Sequence, residues 1–240
     1  MEMAGSARSP AGRADFGLAR PAPVLLAHRG DHRQATENSL AAFRAAAALP
    51  GCDGVELDVM AAADGVAVVS HDPTLRRVHG IATRVDRMTA RALAAVGVPS
   101  LAEALDAVPP STVMDVELKT DVIDAAVAAI REARGDPPAG IVISSFDPAI
   151  LEEVAAAAPA WRRWLNADDL ARSTLDRAVA IGASGVSVRW QAIDQPGMAM
   201  ARDAGLEVAA WTVRRPSVAR RLADLGVVAL CVEGSALPRG

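Results

Sequence analysis

Short aliphatic runs alternate along the chain with longer stretches rich in Ala and Leu. The runs carry β-branched residues and are bounded by Gly, Pro, Asp or Ser. They predict strands at 24–28, 54–59, 66–70, 112–118, 141–145, 161–166, 185–188, 207–212 and 227–232. Between most of them lie segments long enough for a crossover helix, among them 38–49, 121–134 and 217–225. Alanine loses no side-chain entropy in such a helix. Strand alternating with helix in this manner means parallel βαβ units. No self-similar repeat or low-complexity linker divides the series.

The count is one strand more than a closed (βα)8 barrel uses. The odd run is 66–70, which follows Asp58 after too few residues for a helix. "VMAAADGVAVVSHD" reads instead as a hairpin turning at Asp64-Gly65. It rises from the second strand and returns His71 to the same end of the barrel. A doubly wound sheet would carry a glycine-rich phosphate loop after its first strand, and "HRGDHRQAT" is not one. The pattern therefore predicts an α/β protein, a single-domain (βα)8 TIM-type barrel over residues 23–240. A disordered lead-in is expected over 1–22.

Composition narrows the function classes. Of 240 residues 51% are hydrophobic, ample for a large core. A net charge of −4 offers no polycationic surface, so nucleic acid is not an expected partner. The N-terminal stretch lacks the apolar centre of a secretory signal, and no run reaches the length of a membrane span. The expectation is a cytoplasmic protein. Cys52 and Cys231 have neither zinc-site spacing nor the number for a disulfide framework, and read as small buried hydrophobes.

Chemistry gathers at four strand ends: "AHRG", "GVELDV", "VVSHD" and "MDVELKT". Side chains alternate faces along a strand. Val55, Leu57 and Val59 thus face the helices while Glu56 and Asp58 face inwards. In the fourth segment Met114, Val116 and Leu118 share one face, and Asp115, Glu117 and Lys119 the other. Barrel lumens are filled chiefly by branched apolar residues, so inward carboxylates need a reason. An E-x-D pair alone commonly decorates a strand edge, but Glu117 on the matching face of another strand makes a hard-cation site the better reading. Glu56, Asp58 and Glu117 are the donor set of Mg2+ or Ca2+.

His28 and His71 both end strands aimed at one mouth, a pairing suited to a reaction that needs a base and an acid. His32 and His79 sit in polar loops and read as surface residues. Lys119 is the only lysine in the chain. A point charge for a phosphate oxygen, with Arg29 as a forked second donor, explains its placement; an ion pair with Glu117 or Asp115 explains it as well. Taken as a set, these residues are equipment for phosphoryl transfer from a diester.

The segments "HRGDHRQATENSLAAF", "DGVELDVMAAADGVAVVSHDPTLRR", "VPSLAEAL", "MDVELKT", "VISSF" and "AWTV" occur in this order along nearly the whole chain after residue 22. In this the chain resembles the glycerophosphodiester phosphodiesterases, which belong with the barrel phospholipases that cleave phosphoinositides. The resemblance implies a (βα)8 barrel with a small insertion after the His-Asp motif, here reduced to about 73–98. It implies His28 and His71 as the acid/base pair, and Glu56, Asp58 and Glu117 as ligands of one divalent cation. Arg29 and Lys119 would contact the phosphate, and Trp211 would form an apolar wall. The implied reaction releases sn-glycerol 3-phosphate and an alcohol. One route begins with attack by a free glycerol hydroxyl, giving a cyclic phosphate that water opens.

The sequence departs from the family pattern at Thr36, Ser39, Arg214 and Glu233. The first two lie in a loop and at a helix cap, where Asn38 or Ser39 can still cap. The last two lie at the mouth and bear on substrate choice. Alternatives are the same chemistry on lysophospholipids, a non-catalytic barrel binding phosphorylated ligands, and an aldolase-type barrel in which Lys119 forms a Schiff base.

Overall fold

The computed structural model describes residues 22–238. The disordered lead-in expected at 1–22 therefore lies, but for residue 22, outside the described residues. Nine strands form one sheet: β1 (Val24–His28), β2 (Gly54–Ala61), β3 (Ala67–Val69), β4 (Val113–Leu118), β5 (Ile141–Ser145), β6 (Arg163–Ala167), β7 (Gly185–Arg189), β8 (Glu207–Val213) and β9 (Ala229–Val232). Their order is β1-β9-β8-β7-β6-β5-β4-β2-β3, with a further β1–β2 pairing that closes the ring. β3 pairs with β2 antiparallel, whereas the remaining eight are joined in parallel. The expected barrel is formed, and its supernumerary strand is the expected hairpin, with Gly65 at φ +77° in the turn.

Nine α-helices accompany the strands among the described residues: α1 (Leu40–Ala47), α2 (Arg76–His79), α3 (Ala90–Ala94), α4 (Leu101–Asp106), α5 (Ile123–Arg134), α6 (Pro148–Ala157), α7 (Arg172–Ala180), α8 (Gln195–Asp203) and α9 (Pro216–Leu225). None of them is long and apolar enough to cross a membrane. Several boundaries differ from expectation for local reasons. α1 begins at Leu40 rather than 38 because Asn38 takes φ +55°, outside the helical region; Ser39 is the cap, accepting from the Ala42 amide. β2 runs to Ala61 because hairpin pairing with β3 prolongs it. β6 begins at Arg163, since the Trp161 amide closes a turn onto Ala158 O and its indole donates to Asp136.

The outward faces of β2 and β4 (Val55, Leu57, Val59, Met114, Val116, Leu118) are buried against helices in the principal core. The inward faces change character along the strands. At the N-terminal end Val24, Leu26, Val113, Val142, Trp164, Ala209 and Ala229 pack into a closed floor, and Trp164 is fully buried. One step towards the C-terminal ends the inward positions become Glu56, Asp115, Ser144, Asn166, Ser187 and Cys231, which line a cavity. The hairpin and the segment after it carry a separate small core of Met60, Ala62, Val68, Leu75, Val85, Leu93 and Val98. That cluster braces the hairpin which delivers His71.

Gly54 shows how tightly the floor is drawn. A Cβ there would lie 1.9 Å from the Val113 carbonyl oxygen and 3.0 Å from Leu26 Cδ2. Gly54→Ala is therefore expected to destabilise the barrel by about 3 kcal/mol or more, read as a lower denaturant midpoint at unchanged slope.

Candidate active site

The cavity opens at the C-terminal ends of the strands, where (βα)8 enzymes carry their chemistry. It measures about 250 Å³ and is lined by all eight residues singled out in the sequence: His28, Arg29, Glu56, Asp58, His71, Glu117, Lys119 and Trp211. Strand register accounts for most of this. His28 pairs with Glu56, Glu56 with Asp115, and Asp58 with Glu117 across β1, β2 and β4.

Oxygens of Glu56, Asp58 and Glu117 lie within 4.8 Å of one another, and all three residues are buried. Burial and the Asp58 and Glu117 charges push the Glu56 carboxyl well above the usual range. Glu117 is raised too, by burial, with Lys119 opposing. Asp58 resists the same burial and is lowered, because Lys119 and Arg29 stand beside it. Beneath them Asp115, wholly enclosed, is pushed up to about 7 chiefly by burial. This excess of enclosed negative charge, carried by oxygen donors alone, fits a hard divalent cation.

Lys119 bonds Glu117 Oε1 at 2.6 Å and Asp58 Oδ1 at 3.0 Å, so the expected ion pair with Glu117 extends to Asp58 rather than Asp115. Burial works to strip its proton, but the two carboxylates more than offset this and raise its pKa. A Schiff-base lysine must be a neutral amine, and this one is held charged.

Arg29 leaves β1 at φ +56°, followed by Gly30 at φ +81°. A Cβ on Gly30 would stand 2.7 Å from the Ala42 backbone, so the chain can turn here only with glycine. The turn aims the Arg29 amide at Glu56 Oε2, 3.1 Å away. Its guanidinium bonds Glu37 Oε1 at 2.7 Å and lies 3.2 Å from Asp58. Asn38, also left-handed, donates to Asp58 Oδ2 at 2.8 Å.

Each histidine is held through Nδ1. His28 meets Glu233 Oε2 at 2.6 Å, and His71 meets Asp72 Oδ1 at 2.6 Å. Each carboxylate is gripped in turn by an arginine: Arg214 on Glu233, and Arg77 on Asp72 at 2.5 Å. The hydrogen bond from His28, aided by Arg214, lowers Glu233 to about 2. Burial lowers the His28 pKa, against the pull of Glu233. Trp211 stands edge-on to the half-exposed Phe146 with centroids 5.6 Å apart, and donates its indole N–H to Ser187 O.

Some residues escaped the sequence reading. Glu37 and Asp72 sit inside the quoted motifs, yet nothing in their spacing revealed that Arg77 would join them. His32 is not a free surface residue, since it is half-buried with Nε2 4.0 Å from Glu233. Cys231 is buried as expected but faces the lumen, with Sγ 4.0 Å from Glu56 Oε2.

The mouth thus gathers groups suited to the hydrolysis of a phosphoric diester. The chain belongs to the glycerophosphoryl diester phosphodiesterase family, whose model matches residues 28–235. It is 31% identical to the protein YqiK of Bacillus subtilis over 226 residues, 84% of this chain and 91% of that one. It is 30% identical to a glycerophosphodiester phosphodiesterase of Caldanaerobacter subterraneus over 156 residues, covering 57% and 63% of the two chains. Among solved structures, an Oleispira antarctica phosphodiesterase in complex with the product sn-glycerol-3-phosphate superposes with a TM-score of 0.80 at 25% identity, over 88% of this chain and 93% of that one.

Glu37 joins Arg29 to Arg77, and the Arg77 hydrogen bonds lead in lowering it to about 2. A folded-state pKa below the unfolded value gives stability that is present above the unfolded value, near 4.5, and fades as pH falls towards 2. Glu37→Gln is expected to cost about 1–2 kcal/mol at pH 7. In chelator-treated protein the gap from wild type should stay constant down to about pH 5 and narrow below it, as denaturant melts at several pH values would show.

Proposed function

We propose that the protein hydrolyses glycerophosphodiesters to sn-glycerol 3-phosphate and an alcohol, with His28 and His71 sharing the acid and base roles. The observation that carries this reading is the pair of imidazoles lining one cavity, each tied by Nδ1 to a carboxylate, together with three clustered carboxylates in its wall. The Nδ1 bonds leave each Nε2 available to the mouth. One imidazole takes the proton of the attacking hydroxyl or water, and the other gives a proton to the departing oxygen.

Arg29 and Lys119 retain donors beyond those spent on Glu37, Asp58 and Glu117, and these hold phosphate oxygens. A divalent cation, Mg2+ or Ca2+, held by Glu56, Asp58 and Glu117, supplies charge for the non-bridging oxygens when bound. Trp211 and Phe146 wall the space beyond the phosphate and exclude water from one side of it. The product seen in the Oleispira enzyme supports glycerol 3-phosphate as the part retained. The reading takes the enzyme to be cytoplasmic.

Glycerol 3-phosphate release from glycerophosphocholine, glycerophosphoethanolamine and glycerophosphoinositol tests the proposal. Release should require Mg2+ or Ca2+ and stop with chelator. His28→Ala and His71→Ala should each lower kcat by about a hundred- to ten-thousand-fold. No release from any diester by folded, metal-loaded protein would sink it. Independently of activity, Mg2+ or Ca2+ should raise the melting temperature of the wild type, and Glu117→Gln should abolish most of that rise.

A further inference from the structure

We infer that His28, Glu56 and Cys231 form a second cation site, selective for zinc, through which Zn2+ shuts the active site. The three residues offer one nitrogen, one oxygen and one sulfur whose atoms lie within 4.8 Å of one another. That mixed donor set suits Zn2+, whereas the all-oxygen trio beside it suits Mg2+ or Ca2+.

The geometry is close to what zinc requires. His28 Nε2 is 3.9 Å from Glu56 Oε2, and Cys231 Sγ is 4.0 Å from the same oxygen. Tetrahedral zinc with ordinary bond lengths sets such donors ~3.4 and ~3.6 Å apart, so both gaps need close by only about 0.4–0.5 Å. The third pair, nitrogen to sulfur, lies within 4.8 Å, where such a site sets it ~3.6 Å apart. The three come from adjacent strands, since β1 pairs with both β2 and β9.

The histidine is already prepared as a ligand. Its Nδ1 proton goes to Glu233 at 2.6 Å, which fixes the tautomer whose Nε2 lone pair faces Glu56. A carboxylate bonded to the far nitrogen of a zinc-bound imidazole is the usual outer support of such sites, and removing outer supports costs 10- to 100-fold in affinity. Cys231 is enclosed but lies on the cavity wall, so a cation entering the mouth reaches it. On binding, the thiol proton passes to buffer and the thiolate completes the set.

Glu56 belongs to both sites. Zn2+ therefore takes His28 from its proton-transfer role and draws one carboxylate from the hard-cation trio. The binding does not depend on the function proposed above; the inhibition does.

Two readouts separate these. Titrating chelator-treated wild type with Co2+, a coloured stand-in, should give the near-ultraviolet absorption of a cobalt–thiolate bond, and Zn2+ should abolish it. The band should persist in Cys52→Ser and vanish in Cys231→Val. Its absence from folded wild type would overturn the site whatever the variants do. In the diesterase assay at saturating Mg2+, each protein normalised to its own uninhibited rate, Cys231→Val should raise the half-inhibitory Zn2+ concentration at least tenfold. Equal inhibition of both proteins would put the cation at the carboxylate trio or among His28, His32 and Glu233, and would overturn the assignment. A cobalt–thiolate band with no diesterase activity in any arm would leave the site standing and count against the proposed function alone.

Discussion

Four carboxylates occupy the inner faces of two adjacent strands, and their mutual repulsion is the constraint around which the mouth is arranged. Register leaves no escape, since Glu56 sits opposite Asp115 and Asp58 opposite Glu117. Burial and like charge together resist ionisation. The chain answers with Lys119 between Asp58 and Glu117, the Arg29 guanidinium beside Asp58, and the Asn38 amide on the same carboxylate. Asp58 is thereby kept ionised while Glu56 is not relieved to the same degree. The remaining deficit is centred on Glu56, which gives a bound cation its strongest physical reason to be there. Each compensating group is consequently fixed in place, because deleting one partner of a buried pair leaves the other charge exposed to the full cost of burial.

The histidines obey a related rule. Each is the inner member of a chain running imidazole, carboxylate, arginine: His28–Glu233–Arg214 and His71–Asp72–Arg77. The outer arginines fix the carboxylates in turn, so Glu233 and Asp72 are held on the Nδ1 atoms of the two imidazoles. Glu37 couples Arg29 to one of these chains, since it binds both Arg29 and Arg77. Placement of the Arg29 guanidinium and orientation of His71 therefore share a support.

What the sequence disclosed follows from which physics is local. The barrel was legible because alternation along β2 and β4 separates Val55, Leu57 and Val59 from Glu56 and Asp58 without reference to distant residues. The hairpin was legible from Asp64-Gly65. The trio and both histidines were legible as inward residues at strand ends. The partners were not. Arg77 lies 40 residues from Glu37, and Glu233 lies 205 from His28, so no window of sequence contains both members. Cys231 was read as a small hydrophobe because the two cysteines have neither zinc-site spacing nor the number for a disulfide framework; only ring closure reveals that its inward face abuts Glu56. The arginine at 214 and the glutamate at 233 drew notice as separate departures, whereas in the fold they are bonded to each other.

That last pairing shows how function depends on closing the ring. β1 supplies His28 but takes its register from β2 on one side and β9 on the other. The groups that orient His28, Arg214 and Glu233, directly follow β8 and β9, the last two strands among the described residues. Closing so long a loop costs little more entropy than closing a shorter one, since the cost rises only with the logarithm of length. Such long-range strand pairings are nevertheless slow to form, because the loop-closure entropy is met before the contacts reward it. Until β9 docks, β1 has an open edge, Glu56 lacks the cover of Cys231, and His28 has no carboxylate to fix its tautomer. The orientation of His28 thus depends on the closed ring, and a correctly oriented His28 is by itself a sign that the sheet has closed.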